Sequence, residues 1–176
     1  MTGDDLFDIV DSSDTVIGSA RRSYVHANRL LHRSAHVLMF KGSGVDRELL
    51  LQKRSMTKDT NPGAYTTSCS GHVDSGEDYD TAVVRELFEE TGIKAGVSQL
   101  KKIGKIDACK ETGNEFTCVY EMECSGGEKF DPPADEVQSL DWVKVSDFER
   151  MAKESPEKFT RAFLHVYKFY LSKRGK

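Results

Sequence analysis

No apolar run in this sequence is longer than the four residues Val37 to Phe40, against the roughly 20 needed to span a bilayer as a helix. A transmembrane helix is therefore excluded, and no membrane partner is expected. Cysteine is sparse: Cys69, Cys109, Cys118 and Cys124 include no CxxC pair, which argues against a zinc knuckle or a disulfide framework and for reduced thiols. There is no internal repeat and no low-complexity tract. Met1 to Asp8 is acidic and lacks a basic flank followed by an apolar stretch, so a secretory signal is not expected and the cytoplasm is the expected compartment. Nor does one sign of charge dominate, since 25 Lys+Arg face 29 Asp+Glu for a formal charge of -4. That balance disfavours nucleic acid, which is bound by clustered Lys and Arg, but leaves room for local cations that hold a small anion.

What is present suits one folded domain spanning 1–176, with 1–32 as a strand-rich N-terminal extension. Its 176 residues are 38% hydrophobic and 31% charged, enough to bury a core. Leu6 to Val10 and Thr15 to Ile17 read as strands around a turn rich in Asp and Ser. Arg21 to Leu31 reads as a connector with a helical turn. Strands are expected at Val37 to Phe40 and Glu48 to Gln52, then a loop from Ser55 to Tyr65 with Asn61-Pro62-Gly63 as its turn. Ser75 to Glu90 reads as a helix, with Ser75 and Asp78 resembling a capping box and Gly92 placed for a left-handed end. Leu100 to Cys109 and Phe116 to Glu123 form a predicted hairpin, and Leu140 to Val145 a further strand. Phe159, Phe163, Val166, Tyr167 and Tyr170 give a terminal helix its apolar stripe. The mixture predicts an α/β class with helices packed on a mixed sheet.

The helix that ends near Gly92 carries the chemistry. On a 3.6-residue wheel with Glu86 at zero, Glu90 lies near 40 degrees and Glu89 near minus 60, so three carboxylates share a face. Val83, Val84, Leu87 and Phe88 fall between roughly 60 and 200 degrees and form the expected buried stripe. Like charges at these spacings cost about 0.2 to 0.5 kcal/mol each, and anions near a helix C-terminus oppose its dipole by about 0.3 to 1 kcal/mol. A divalent cation reverses the sign of that repulsion, and an all-oxygen set selects hard ions, Mg²⁺ or Mn²⁺.

Gly71 to Glu77, seven further residues, then Arg85-Glu86-Leu87-Phe88-Glu89-Glu90-Thr91-Gly92-Ile93 resembles the Nudix box at every fixed position. The resemblance implies an α/β/α sandwich and Mg²⁺-dependent hydrolysis of a nucleoside diphosphate linked to another group, a small-molecule diphosphate. It implies Glu86, Glu89 and Glu90 as metal ligands, Arg85 as the residue that orients them, and Gly71 and Gly92 as backbone turns. Glu77 falls on the opposite side of the wheel and is expected to support the site by bending back from the helix start. The general base is left open among Glu89 and four residues outside the helix, Glu115, Glu121, Glu123 and Glu136.

Leu49 to Ser55, Lys58, Pro62-Gly63 and Thr67 to His72 further resemble type 1 isopentenyl-diphosphate isomerases and the hydrolases near them. By that resemblance Arg54 and Lys58 contact the diphosphate, and His26, His32, His72 and Glu115 form a second candidate metal site. Gly113 stands where a companion glutamate is expected. Ser70 stands where the isomerases carry a catalytic cysteine, with Cys69 one residue earlier. Adjacent side chains in a strand point to opposite faces, so Cys69 does not replace it. Hydrolysis is the favoured expectation; isomerisation and a catalytically silent binding module are the alternatives. The substrate's head group and the oligomeric state stay open.

Overall fold

A computed structural model describes residues 5–174; the first four residues of the acidic N-terminal stretch and the last two of the chain lie outside them. Strands β1 (Leu6–Val10) and β2 (Val16–Arg21) pair as an antiparallel hairpin. Its turn is made by Asp11, whose Oδ1 accepts from Ser13 N at 2.8 Å and Thr15 N at 3.0 Å. Helix α1 (Arg22–Ala27) then leads to β3 (His32–Lys41), the centre of the main sheet. Strands β4 (Glu48–Arg54), β5 (Tyr65–Thr66), β6 (Cys69–His72), β7 (Lys101–Cys109), β8 (Glu115–Cys124) and β9 (Val137–Lys144) complete seven strands. Along one edge β3 runs parallel to β8; on the other it pairs antiparallel with β6 at its start and β4 at its end.

Helix α2 (Tyr79–Thr91) covers one face, while α3 (Val145–Glu154) and α4 (Arg161–Arg174) cover the other. The period of two sorts the sheet residues. Val37, Met39, Leu50, Cys118 and Tyr120 pack toward α2 with Val83 and Leu87, whereas Leu38, Phe40, Leu49, Leu51 and Val119 pack toward Phe148, Phe163, Val166 and Tyr170. A central strand buried on both sides reads as a continuous apolar run, which is why Val37 to Phe40 stood out in a sequence with no other such run.

Two sequence expectations about α2 are corrected, and one element is added. Helix α2 is capped by Asp78, whose carboxylate accepts from Thr81 N at 2.8 Å, and starts at Tyr79; Ser75 instead donates to Asp8. Phe88 is 47% exposed, with the Lys94 ammonium 5.4 Å over its ring. The buried residues of α2 are Ala82, Val83, Glu86, Leu87, Glu90 and Thr91, an arc rotated toward the carboxylates by about 80 degrees from the expected stripe. The segment from Val145 to Glu154, which carried no expectation, is helical.

Candidate active site

Two of the three carboxylates are inside the protein. Glu86 is 5% and Glu90 7% exposed, while Glu89 faces solvent. Glu90 Oε2 accepts from Ser70 N at 2.9 Å and Gln52 Nε2 at 3.0 Å, so β6 and β4 both hold it. Burial, then the Glu90 charge, pushes the Glu86 carboxyl up to about 8 against the pull of Arg85, and burial also raises Glu90. Ionised carboxylates brought this close and this far from water are costly unless a cation offsets them.

Arg85 is the hub of the cluster. Its Nε donates to Glu77 Oε1 at 3.0 Å and Nη2 to Glu77 Oε2 at 2.8 Å; Nη1 reaches Glu86 Oε1 at 2.7 Å and Glu89 Oε2 at 3.3 Å; Nη2 also reaches the His72 carbonyl at 3.0 Å. The two-pronged grip from Glu77 fixes the guanidinium plane. Glu77 does this from the loop ahead of α2, and the Arg85 hydrogen bonds hold its own carboxyl below the usual range.

Gly71 is not a turn. It lies in β6 outside the left-handed region, and a Cβ built on it would overlap Cγ, Cδ and Oε1 of Glu86. Glycine here is a notch that admits the Glu86 side chain. Gly92 is a turn, with φ 76 at the end of α2.

The two cations expected to meet a diphosphate, Arg54 and Lys58, lie on and just after β4. Arg54 follows Gln52 on β4, and its guanidinium donates to the Thr60 carbonyl at 3.1 and 2.9 Å, which ties it to its own loop; the charges of Glu90 and Glu136 act on it. Lys58 pairs with Glu136 at 3.7 Å. Of the glutamates outside α2, Glu121 lies on the α4 face and accepts from Tyr170, and Glu123 pairs with Arg47 at 2.5 Å, which removes both from the carboxylate cluster. Glu136 lies close enough for its charge to add to burial in raising the Glu90 carboxyl.

The histidines converge on a separate cluster. His26 comes from α1, His32 from the start of β3, His72 from the end of β6 and Glu115 from the start of β8, and their ligand atoms lie within 4.8 Å of one another. His32 Nδ1 is 2.9 Å from the Leu30 carbonyl, which can only accept, so Nδ1 carries a proton and points away from the cluster. The His32 Nε2 is buried with no hydrogen-bond partner, 3.5 Å from Glu115 Oε1. His72 Nε2 is 3.2 Å from the same oxygen. His26 is exposed, and partial desolvation with His72 and His32 alongside pushes its ring down to about 4. Burial alone would raise Glu115, yet His72 and His32 bring it well below the carboxylate range. An orphaned imidazole nitrogen facing a carboxylate, its other nitrogen fixed by a carbonyl, fits a metal site.

Cys69 faces α2 within the core, its thiol pushed well up by burial and then by the charges of Glu90 and Glu86. Its neighbours Ser70 and His72 alternate with it and Gly71 along β6. Sequence reasoning missed Gln52, which reads as one more strand residue until Glu90 is seen against it. It also missed Phe7, whose ring stacks on His72 at 4.6 Å.

A NUDIX domain profile matches residues 30–163. Isopentenyl-diphosphate Delta-isomerase of Serratia proteamaculans (strain 568) is 32% identical over 167 residues, covering 94% of this chain and 90% of that protein. Prenyl-diphosphate phosphatase of Methanosarcina mazei is 28% identical over 155 residues, covering 87% of each. Among solved structures, DR0079 from Deinococcus radiodurans superposes with a TM-score of 0.70 at 21% identity, covering 85% of this chain and 90% of that one. That likeness bears on the fold alone.

Proposed function

Because the chain belongs to the Nudix family, in the branch that resembles isopentenyl-diphosphate isomerases, we propose that it hydrolyses a diphosphate linkage in a nucleoside diphosphate derivative, with Mg²⁺ or Mn²⁺ held by Glu86, Glu89 and Glu90. The observation that carries this reading is the pair of buried carboxylates, Glu86, bonded to Arg85, and Glu90, bonded to the neutral donors Gln52 Nε2 and Ser70 N. A divalent cation bound there supplies charge neutralisation on the diphosphate and activation of water. The protein's own part is positional. Glu77 locks Arg85, Arg85 sets the Glu86 and Glu89 oxygens, and Gln52 with Ser70 N fixes Glu90 through its Oε2. Arg54 and Lys58 bind the substrate's anionic oxygens, and exposed Glu89 accepts the water's proton, with Glu136 the other carboxylate on that side.

A second reading is favoured by the histidine cluster and by the Serratia relative, namely isomerisation of isopentenyl diphosphate at a site holding a metal on His26, His32, His72 and Glu115. The burial of Cys69 against α2 and the serine at position 70 weigh against it. Purified protein with Mg²⁺ or Mn²⁺, offered nucleoside diphosphate derivatives, prenyl diphosphates and isopentenyl diphosphate, separates the readings. Diphosphate cleavage lost in Glu90→Gln supports hydrolysis. An isomerised prenyl product without cleavage overturns it, and metal binding with no turnover indicates a binding module.

The histidine cluster has its own test. In a Glu86→Gln background, which lacks the carboxylate-bound cation, chelation is expected to lower Tm by roughly 5 to 10 °C, as loss of a ligand present at about 100 times its Kd does in a chain of this size, and adding His32→Ala is expected to remove the difference. Equal Tm with and without chelator in the Glu86→Gln protein would sink the assignment.

A further inference from the structure

We propose that Asp8, on the N-terminal hairpin, is a positioning residue for Arg85, acting through the turn that precedes α2. The hairpin lies outside the matched residues 30–163, yet β1 is laid directly against that turn. The Leu6 carbonyl accepts from Ser75 N at 2.7 Å, and Phe7 bridges to Asp74. The Asp8 carboxylate, 8% exposed, accepts from Ser75 Oγ at 2.6 Å through Oδ1 and from Gly76 N at 3.1 Å through Oδ2. Gly76 has φ 86, and nothing stands within 4 Å of a Cβ built there. Its glycine therefore answers to the left-handed backbone that turns this amide toward Asp8, not to lack of room.

The next residue is Glu77. Its own amide donates to the Asp74 carbonyl at 3.0 Å and its Oε2 accepts from Asp74 N at 3.2 Å, so the turn held by Asp8 is the same one that aims the Glu77 carboxylate at Arg85. Hydrogen bonds thus join Asp8 to Ser75 and Gly76, the backbone of the turn carries the link one residue on to Glu77, and hydrogen bonds run from Glu77 through Arg85 to Glu86 and Glu89. The clamp itself has a firm base. At the tip of the hairpin Asp14 meets Arg33 Nε at 2.6 Å, Lys105 Nζ at 2.5 Å and the Tyr79 hydroxyl at 2.9 Å, and Val10 N donates to the Leu31 carbonyl at 2.9 Å. Hydrogen bonds to a charged acceptor are about twice as strong as neutral ones. Removing Asp8 leaves Ser75 and Gly76 without their acceptor and frees the turn that sets Glu77.

The inference rests on the hydrolase reading of the carboxylates, so its test has two readouts. In Asp8→Ala, kcat for diphosphate cleavage is expected to fall about tenfold, since a small displacement of positioned groups slows chemistry steeply. KM should stay within about a factor of two, because Arg54 and Lys58 are untouched. Mn²⁺ affinity, read by electron paramagnetic resonance without substrate, should weaken severalfold. Asp8→Asn should fall between, as one oxygen acceptor survives. A folded Asp8→Ala protein with unchanged kcat and Mn²⁺ affinity, even with a lower Tm, overturns the proposal, since the hairpin is then structural only. If Asp8→Ala does not fold, Ser75→Ala decides by the same measurements, because it deletes one contact and keeps the carboxylate. If the unaltered protein cleaves none of the diphosphates, the hydrolase reading fails, and the Mn²⁺ affinities still decide the role of Asp8.

Discussion

Replacing Gly71 with alanine is expected to lower diphosphate hydrolysis by at least about 100-fold, an effect on the scale of losing one preorganised charge-stabilising group. The backbone is not the reason, since Gly71 is an ordinary strand residue that any side chain can adopt. The reason is the volume already filled by Glu86, whose Cγ, Cδ and Oε1 occupy the space of the missing Cβ. Glu86 cannot retreat easily, because it is buried and its Oε1 is held by Arg85 at 2.7 Å. Either the carboxylate swings out of the cluster, or β6 and α2 move apart. Separation also disturbs Ser70 N on Glu90 and the His72 carbonyl on Arg85, the neighbours of Gly71 on either side. Overpacking of this kind costs about 1 to 3 kcal/mol, so Tm should fall as well. Steady-state kinetics and thermal unfolding of Gly71→Ala check both; activity within about threefold of the unaltered enzyme would show that the notch does not set Glu86.

Glu86→Gln should separate activity from stability. Hydrolysis is expected to drop on the order of 100- to 1,000-fold, the range for removing a charge-stabilising group from a preorganised site. Metal-free stability should change in the opposite direction. Burial raises the folded-state carboxyl from 4.5 to about 8, so the folded protein keeps a proton that the unfolded chain releases above its ordinary carboxylate pKa. The associated stability is present at pH 4 and is lost progressively until the pH passes about 8. Glutamine does not titrate and avoids this loss. In chelator, Tm of Glu86→Gln minus that of the unaltered protein should be near zero at pH 4.5 and grow to several degrees at pH 8. Saturating Mg²⁺ or Mn²⁺ should shrink the difference, since only the carboxylate protein gains from the cation. Glu89→Gln, which alters an exposed group, should lose activity without the stability gain. A Tm difference that does not vary with pH would overturn this account.

Much of the site was legible because it sits in one contiguous stretch. Residue spacing along a single helix decides which carboxylates share a face, so Glu86, Glu89 and Glu90 could be grouped from sequence, and Arg85 and Glu77 assigned by resemblance. What spacing could not say is which side of that helix meets the sheet. Counting apolar residues placed Phe88 inside, whereas the packed helix turns its arc toward Glu86 and Glu90 and leaves Phe88 under Lys94. The cap moved for a similar reason: Ser75 is taken by Asp8, a residue 67 positions away in the chain, and Asp78 closes the helix instead.

The sequence by itself determined the local chemistry of this protein: periodicity and near-neighbour spacing gave an acidic helix and strands alternating with helices, and the resemblance added the arginine of that helix and two candidate diphosphate cations. Only the tertiary structure decided that Gly71 is a notch and not a turn, that Gln52 steadies Glu90, and that Glu121 and Glu123 lie apart from the site. It also gathered His26, His32, His72 and Glu115 from four elements into one cluster and laid Asp8 against the turn before α2. These facts depend on strand register and on which sheet face each residue takes, which arise only when distant segments pair, and a shift of one residue would reverse every one of those faces.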